Sequence, residues 1–343
     1  MVDQGELDTM GGEASAARPT AARRNPPGAF RGTDGRSVVV GLDLGGTKLR
    51  GAIGDAAGAI LHEIEQPTHA DSPAGTRAQL SRMVRDLAIR AGLPLDGIAH
   101  IVVGVPGVVD PDGQVGLSPN VAFDAEVPLS ETLAAELGRP VSIENDGNLS
   151  AYGEYATAGD GTRSLAFLAI GTGVGMGLII DSQIVRGRHG GAGDIAFVPF
   201  GTDPFAAADA NPSGAFEAAV GSAAIRAAYA ARTGVTESVR NIFDRAAAGE
   251  PDAKSVIDAT LRGIAVGLGG VVALLDPGRI VIGGGIGARP GVAEALGAYL
   301  RRLVPSPCEV VTSRLGARAG VVGALAYARA AALQAVATEG PDA

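Results

Sequence analysis

The chain has no tryptophan and a single cysteine, Cys308, among its 343 residues. One cysteine excludes an internal disulfide and a zinc site built from several thiolates. Lysine is scarce as well, because only Lys48 and Lys254 occur and arginine carries nearly all the basic charge. The formal net charge is −9, with no block of basic residues. A surface that binds nucleic acid is therefore not expected.

Long apolar runs are also missing. No window has the unbroken apolar length of a membrane span, and the N-terminus has no basic stretch followed by an apolar one. We therefore expect a cytoplasmic protein without a membrane partner. The hydrophobic share of 46% and the length of 343 residues allow two domains with sizeable cores. Residues 1–36 have no sustained apolar period, which predicts a disordered N-terminal tail.

A glycine turn between two apolar runs follows this tail. The run Val38–Val40 leads to Asp43 and then to Gly45-Gly46-Thr47-Lys48, after which a second apolar run begins. This pattern predicts a β-hairpin. Asp43 could hold a hydrated Mg²⁺, and the N–H groups of the turn, with Thr47 and Lys48, could hold phosphate oxygens. The alternative is an ordinary buried hairpin in which Asp43 only caps the turn.

The remainder of the chain has mixed α/β periodicity. We predict helices over 75–92, 129–137, 149–158, 214–229, 251–275 and 320–335. We predict strands over 60–66, 98–105, 141–143, 164–170, 174–180 and 279–282. The strand 98–105 ends at Pro106-Gly107, and open α/β sheets place ligands at such strand ends.

A second glycine turn repeats the plan of the first. Gly171-Thr172-Gly173 lies between two predicted strands, and Gly171 follows Gly45 by 126 residues. The repeat predicts a duplicated unit with a cleft between its halves, where phosphates could be held from both sides. The alternative is coincidence, since the chain contains 52 glycines. Gly283-Gly284-Gly285 at a later strand end would let a flat group approach the backbone, or would simply form a tight turn.

Motifs in a fixed order give the chain a family resemblance. They are Asp43-Leu44-Gly45-Gly46-Thr47-Lys48, Val105-Pro106-Gly107, Glu144-Asn145-Asp146-Gly147-Asn148, Gly171-Thr172-Gly173-Val174-Gly175 and Ile282-Gly283-Gly284-Gly285. Together they resemble the ROK family of bacterial sugar kinases and sugar-responsive repressors, over roughly residues 38–330. The resemblance implies an α/β protein with the actin-like ATPase (ribonuclease H-like) fold, with two α/β domains around a central cleft.

The domain limits follow from the same resemblance. We expect an N-terminal domain over 37–143 and a C-terminal domain over 144–317, with a last helix, 318–335, that packs back on the first domain. A homodimer or tetramer is implied as well.

The resemblance also implies the roles of individual residues. The residues that bind ATP are Asp43, Gly45, Gly46, Thr47, Lys48, Gly171, Thr172, Gly173 and Gly284, the last against the adenosine. The residues that bind the sugar are Gly107, Asn120, Asn145, Asp146, Asp194 and Glu217. Phosphoryl transfer needs a group that accepts the hydroxyl proton and a neutralised γ-phosphate. Asp146 is the expected general base, and Asp43 is expected to orient Mg²⁺ through water. The alternative for Glu144-Asn145-Asp146 is helix N-capping.

The sequence departs from the family in one loop. Asp194 stands where the family has Glu, Phe197 stands where it has a His that binds sugar and zinc, and 203–214 replaces its cysteine cluster without a cysteine. We therefore expect no zinc site. We also expect weaker selectivity at the sugar edge that faces Phe197, because an apolar wall does not reject an added hydroxyl strongly.

Functions of two classes remain from the sequence. The first is an ATP-dependent hexokinase or glucokinase-like enzyme, acting on a glucose-like hexose or on a modified sugar or cyclitol. The second is a non-catalytic sugar-binding or regulatory protein. The family's repressors carry a winged helix-turn-helix, for which the 36 residues before the hairpin are short. The kinase is favoured on this ground, and because both Asp43 and Asp146 are present.

Overall fold

The computed structural model describes residues 38–69, 72–116, 118, 121–124 and 126–339. The predicted tail and Asn120 lie outside these residues. The strands are β1 (Val38–Leu44), β2 (Lys48–Asp55), β3 (Ile60–Pro67), β4 (Ile98–Val105), β5 (Val108–Val109), β6 (Val115–Gly116), β7 (Val141–Asn145), β8 (Leu165–Ile170), β9 (Val174–Ile180), β10 (Gln183–Ile184), β11 (Arg279–Gly283) and β12 (Glu309–Thr312).

The helices connect and cover these strands. They are α1 (Pro73–Arg90), α2 (Leu129–Leu137), α3 (Asp146–Ala158), α4 (Pro204–Ala210), α5 (Ala215–Val220), α6 (Ser222–Thr233), α7 (Val239–Ala247), α8 (Pro251–Leu275), α9 (Gly284–Gly287), α10 (Val292–Leu303) and α11 (Ala319–Glu339).

Two five-stranded sheets share one strand plan. The first has the order β3-β2-β1-β4-β7 and the second the order β10-β9-β8-β11-β12. In each, the first three strands are antiparallel and the later ones join in parallel. β1, β4 and β8 are apolar runs because both faces of these central strands are buried. The two glycine turns therefore occupy equivalent positions, as the sequence repeat predicts.

The helices α3 and α11 lie between the sheets. Ala151 of α3 belongs to the core on the second sheet, whereas Val321 and Ala324 of α11 belong to the core on the first. The two helices cross where each has a glycine. A Cβ at Gly323 would lie 1.8 Å from the Leu149 carbonyl oxygen, and one at Gly153 would lie 2.6 Å from that of Ala319. No other residue permits this approach. The predicted domain limits at 143 and 317 stay a prediction.

Several helices differ from the sequence prediction. The helix expected over 214–229 is broken at Gly221, whose extended backbone (φ −72°, ψ 175°) ends α5 and begins α6. Helices α4, α7 and α10, as well as β12, were not predicted. The sequence of helix α10 does have apolar residues at helical spacing, and two of them, Leu296 and Leu300, are buried in the structure. β12 is short and only partly buried, so its sequence has no apolar run that would predict a strand.

Two helical segments, Pro251–Leu275 and Gly316–Ala337, are long and apolar enough to cross a membrane by length and composition alone. The sequence expectation concerned an unbroken apolar run, and charged residues interrupt both segments, Asp258 and Arg262 in the first and Arg318 and Arg329 in the second. About half of the first segment's apolar window and 44% of the second's are buried inside the molecule. Packing against the two sheets accounts for their composition, since α8 contributes Ile264 and Leu268 to the second core.

Candidate active site

The parallel strands β1, β4 and β7 end at one edge of the first sheet. Asp43 pairs with Gly104 across β1 and β4, and Gly104 pairs with Glu144 across β4 and β7. The turn at Gly107 and the start of α3 at Asp146 follow directly. The strand order therefore brings Asp43, Gly107 and Asp146 to one edge of the sheet, the place where α/β sheets bind ligands.

Asp146 is the first residue of α3, and Asn145 is its N-cap. The Oδ1 atom of Asn145 accepts a hydrogen bond from Asn148 N at 2.9 Å, and its Nδ2 donates to the Gly107 carbonyl at 3.0 Å. Gly107 has a φ of +112°, which favours glycine. The capping role considered for this block is therefore present. It leaves one N–H and one lone pair of the Asn145 amide for a ligand.

The carboxyl group of Asp146 accepts a hydrogen bond from Gly147 N at 2.8 Å. Burial raises the pKa of Asp146 to about 6, and hydrogen bonds from backbone N–H groups oppose this rise. At neutral pH the group is mostly ionised yet is a better proton acceptor than an exposed aspartate. These are the properties that a general base needs.

Asp43 lies against the first turn of α11. A Cβ built on Gly320 would lie 2.5 Å from the carboxyl carbon of Asp43, so only glycine leaves room there. Burial and then repulsion by Asp146 raise the pKa of Asp43 to about 7, while Arg50 lowers it. The charge of Asp146 therefore acts on the carboxyl group of Asp43. A divalent cation between such groups relieves the repulsion, and carboxylate oxygen is a ligand that Mg²⁺ prefers.

The first glycine turn is closed by its own backbone. Gly45 N donates to the Lys48 carbonyl at 2.9 Å, and Thr68 Oγ1 donates to the Gly45 carbonyl at 2.7 Å. Gly46, Thr47 and Lys48 are exposed. The Lys48 Nζ lies 2.5 Å from Glu65 Oε1. Arg50 binds the other oxygen of that carboxylate, and both hydrogen bonds hold the pKa of Glu65 below its usual value.

The second glycine turn lies beside the glycines that follow β11. Gly171 N donates to the Gly173 carbonyl at 2.9 Å. A Cβ at Gly284, where φ is +80°, would lie 2.4 Å from the Ile170 carbonyl, and one at Gly171 would lie 3.9 Å from Gly285 N. Thr172, the middle residue of the turn, is exposed. The structure therefore brings together two of the three glycine segments that the sequence analysis assigned to the nucleotide.

Glu217 lies under this second turn. Its Oε2 accepts a hydrogen bond from Val174 N at 2.9 Å, and a Cβ at Gly173 would lie 2.3 Å from the same oxygen. The carboxylate thus supports the turn, a contact that the sequence analysis did not foresee because 43 residues separate the partners.

The altered loop places Asp194 beside a cavity of about 470 Å³. This cavity is lined by Val108, Asp110, Gln114, Val115, Gly116, His189, Gly191 and Asp194. Burial and the charge of Glu217 raise the pKa of Asp194. Phe197 ends a short 3₁₀ turn with 49% of its surface exposed.

The stretch that replaces the cysteine cluster begins with a capped helix. Asp203 caps α4 through a hydrogen bond from Ala206 N at 3.1 Å. Within the described ranges, no group of three or more His, Cys, Asp or Glu side chains could hold a metal ion. The expected lack of zinc stays a prediction.

Glu144 and Arg186 form a contact that the sequence analysis missed. Glu144 is buried, with 4% of its surface exposed, and its Oε2 lies 2.6 Å from Arg186 Nε. Arg186 carried no sequence signal of its own. The buried position of Glu144 at a strand end was the only pointer, because a buried carboxylate needs a charged partner.

Comparison with known proteins identifies the class. The sequence model of the ROK family matches residues 39–331. The chain belongs to the ROK family, which confirms the resemblance.

Among curated relatives, the bifunctional enzyme NanE/NanK of Brucella melitensis is 32% identical over 298 residues, which cover 84% of this chain and 53% of that protein. The chain thus spans about half the length of that relative. The glucokinase of Halalkalibacterium halodurans is 28% identical and is matched over 92% of its length, against 83% of this chain.

Solved structures confirm the fold. The ROK hexokinase from Thermus thermophilus matches with a TM-score of 0.74 and 28% identity, over 87% of this chain and 99% of that one. A ROK glucokinase from Streptomyces griseus, solved with glucose and AMPPNP, matches with a TM-score of 0.69 and 25% identity, over 86% and 100%. The α/β architecture is that of the actin-like ATPases.

Proposed function

We propose that the protein is an ATP-dependent sugar kinase that phosphorylates a hydroxyl group of a glucose-like hexose. One observation carries the proposal: Asp43 on β1 and Asp146 just after β7 lie at the same edge of the first sheet, on either side of β4, and the charge of Asp146 raises the pKa of Asp43. A base and a metal-orienting carboxylate are the acidic groups that phosphoryl transfer to an alcohol requires. Relatives that are named as glucokinases support the sugar as acceptor.

Asp146 accepts the proton of the attacking hydroxyl in this proposal. Its pKa of about 6 keeps it ionised at neutral pH, and its place at the first position of α3 fixes its backbone. Asn145 holds the sugar with the amide hydrogen that it does not donate to the Gly107 carbonyl, and Gly107 shapes the adjoining wall. Asp194, Glu217 and Asn120 complete the predicted sugar set.

The nucleotide is held by backbone groups. The exposed turn Gly45–Lys48 and the turn Gly171–Gly173 present N–H groups to the phosphates from opposite halves, and Gly284 admits the adenosine. Asp43 would hold Mg²⁺ through water, and the ion would neutralise charge on the phosphates. Lys48 is paired with Glu65, so it must exchange that partner to reach a phosphate.

The identity of the sugar, the cellular location, the oligomeric state and the partners are also proposals. A hexose is favoured over a modified sugar or cyclitol because glucose occupies the S. griseus relative. Location in the cytoplasm, a dimer or tetramer, and the lack of nucleic-acid or membrane partners stay predictions.

The test is a coupled assay of ADP release across hexoses, amino sugars and cyclitols, with wild type and Asp146→Asn. Asn keeps the size of the side chain but is a poor proton acceptor, so we expect turnover to fall by about 10² to 10⁴. Sugar binding, measured by calorimetry, should persist. Asp181→Asn is the matched control, because that side chain is 80% exposed in a surface ion pair. Near-normal turnover of Asp146→Asn, or no ADP release with any sugar, would reject the proposal.

A second candidate function is a sugar-binding regulator without catalysis. The exposed Phe197 and the shorter Asp194 favour it, because they weaken the sugar site. Tight sugar binding without ADP release from wild type would select this function.

A further inference from the structure

Arg186 joins parts of the fold that lie far apart in sequence. It follows β10, and its Nε and Nη2 atoms both lie 2.6 Å from Glu144 Oε2. Its Nη2 also donates to the Tyr327 hydroxyl of α11 at 2.9 Å, and the guanidinium group lies 5.7 Å from the centre of that ring. One side chain thus contacts the end of β7 and α11.

Glu144 in turn contacts the start of α3. Its Oε1 accepts hydrogen bonds from Asn145 N at 3.0 Å and from Asn148 Nδ2 at 2.9 Å. These two residues flank Asp146 in the first turn of the helix. The orientation of that turn therefore depends on where the buried carboxylate of Glu144 is held.

The backbone of Arg186 begins the loop that carries Asp194. Its carbonyl accepts a hydrogen bond from Ala192 N at 3.1 Å. Further along, Gly190 is pressed against β5, since a Cβ there would lie 2.1 Å from the Val109 carbonyl oxygen. The loop is fixed at these two points, and Asp194 follows two residues after Ala192.

We propose that Arg186 is a positioning residue that sets the altered sugar loop and the Asp146 turn relative to each other through Glu144. The inference rests on the proposed kinase function for its kinetic consequences only. When the guanidinium is in place, Asp194 and Asp146 face the same sugar at a fixed separation. Without it, the side chain no longer ties the start of the loop to Glu144 and Tyr327, and Glu144 loses its only charged hydrogen-bond partner among the described residues.

Replacing Arg186 should change the KM for sugar but not the KM for ATP. Displacement of catalytic groups by about 1 Å costs roughly 10²-fold in rate, so we expect Arg186→Met to lower kcat by about that factor. The KM for sugar should rise about tenfold or more, while the KM for ATP should stay within about twofold, because Arg186 contacts neither glycine turn. A role in global stability alone would lower the melting temperature and the active fraction without splitting the two KM values. Arg186→Lys keeps the charge but not the paired contact, and should recover part of kcat.

A double-mutant cycle tests the route through Glu144. Glu144→Gln removes the charge that Arg186 satisfies, so Glu144→Gln with Arg186→Met should be no worse than Arg186→Met alone. Arg163→Met is the matched control, because Arg163 forms an exposed ion pair with Asp181. Additive effects in the double variant would overturn the proposed route.

Hydrogen–deuterium exchange gives a readout that does not need turnover. In Arg186→Met, exchange should quicken about tenfold or more in both 145–149 and 187–194 and stay unchanged at 45–48. Change in only one of the two segments, or equal change everywhere, would overturn the coupling. If wild type shows no ADP release but this exchange pattern holds, the proposed function fails while the positioning role stands.

Discussion

A single methyl group at Gly320 tests whether the placement of Asp43 matters. In Gly320→Ala the new Cβ would lie 2.5 Å from both the carboxyl carbon and Oδ2 of Asp43, and 2.7 Å from Oδ1. Ordinary contact begins at 3.4 Å, and real Cβ atoms essentially never approach below 3.0 Å. The carboxyl group, or the start of α11, must therefore move by about 1 Å, since close-packed interiors have no free space to absorb the methyl group.

The expected effects on stability and on activity differ. Ala in place of Gly inside a helix gains about 1 kcal/mol, while an extra methyl in a packed site costs about 1–3 kcal/mol. The net loss of unfolding free energy is then about 0–2 kcal/mol, and the protein stays folded. A displacement of about 1 Å at a group that orients the reaction costs roughly 10²-fold in rate. We therefore expect a folded protein with about 1% of wild-type kcat.

The measurement pairs denaturant unfolding with the ADP-release assay. Gly270→Ala is the matched control, because a Cβ on that exposed face of α8 meets nothing within 4 Å. It should raise the unfolding free energy by up to about 1 kcal/mol and leave turnover unchanged. Turnover of Gly320→Ala within threefold of wild type would refute the role given to Asp43. Loss of cooperative unfolding would refute the stability estimate.

Two further predictions concern His100 and Asp194. His100 is 4% exposed and its ring bonds Ser142 Oγ, and burial lowers its pKa from 6.5 to about 4. Between these two pH values the unfolded chain binds a proton that the folded chain does not bind. The contribution of His100 to the unfolding free energy is therefore complete above pH 6.5 and is lost as the pH falls to 4, a change of about 3 kcal/mol. In His100→Gln this part of the pH dependence of unfolding should vanish, and an unchanged profile would contradict the prediction. Asp194→Glu restores the family's residue, so kcat/KM for glucose should rise relative to a deoxy analogue, and an unaltered ratio would show that Asp194 does not face the varied hydroxyl.

The sequence predicted those parts of the site that lie at strand ends. Strands such as β4 and β8 are buried on both faces, so their apolar runs are unbroken and their ends are sharp. Gly107, shortly after β4, could therefore be placed at the edge where ligands bind, and Asp146 could be placed just past the shorter, partly buried strand β7. The helix cap at Asn145 was weighed only as the alternative for this block, and the helix begins at Asp146, three residues before the predicted start at Leu149.

The contacts that the sequence did not predict join distant segments. Gly320 meets Asp43, and Arg186 meets Glu144, in pairs for which neither residue type carries a signal for the other. The same applies to Lys48, whose side chain was assigned to phosphate yet pairs with Glu65 across the strand pair β2–β3. Local periodicity contains no information on which distant surfaces meet, so these partners become visible only in the folded chain.

The crossing of α3 and α11 explains why both carboxyl groups depend on one piece of packing. Asp146 begins α3, which covers the second sheet, while Asp43 rests on the start of α11, which covers the first. The helices approach so closely at Gly153 and Gly323 that neither can slide without the other. A shift of the pair would therefore move the proposed base and the proposed metal-orienting group together.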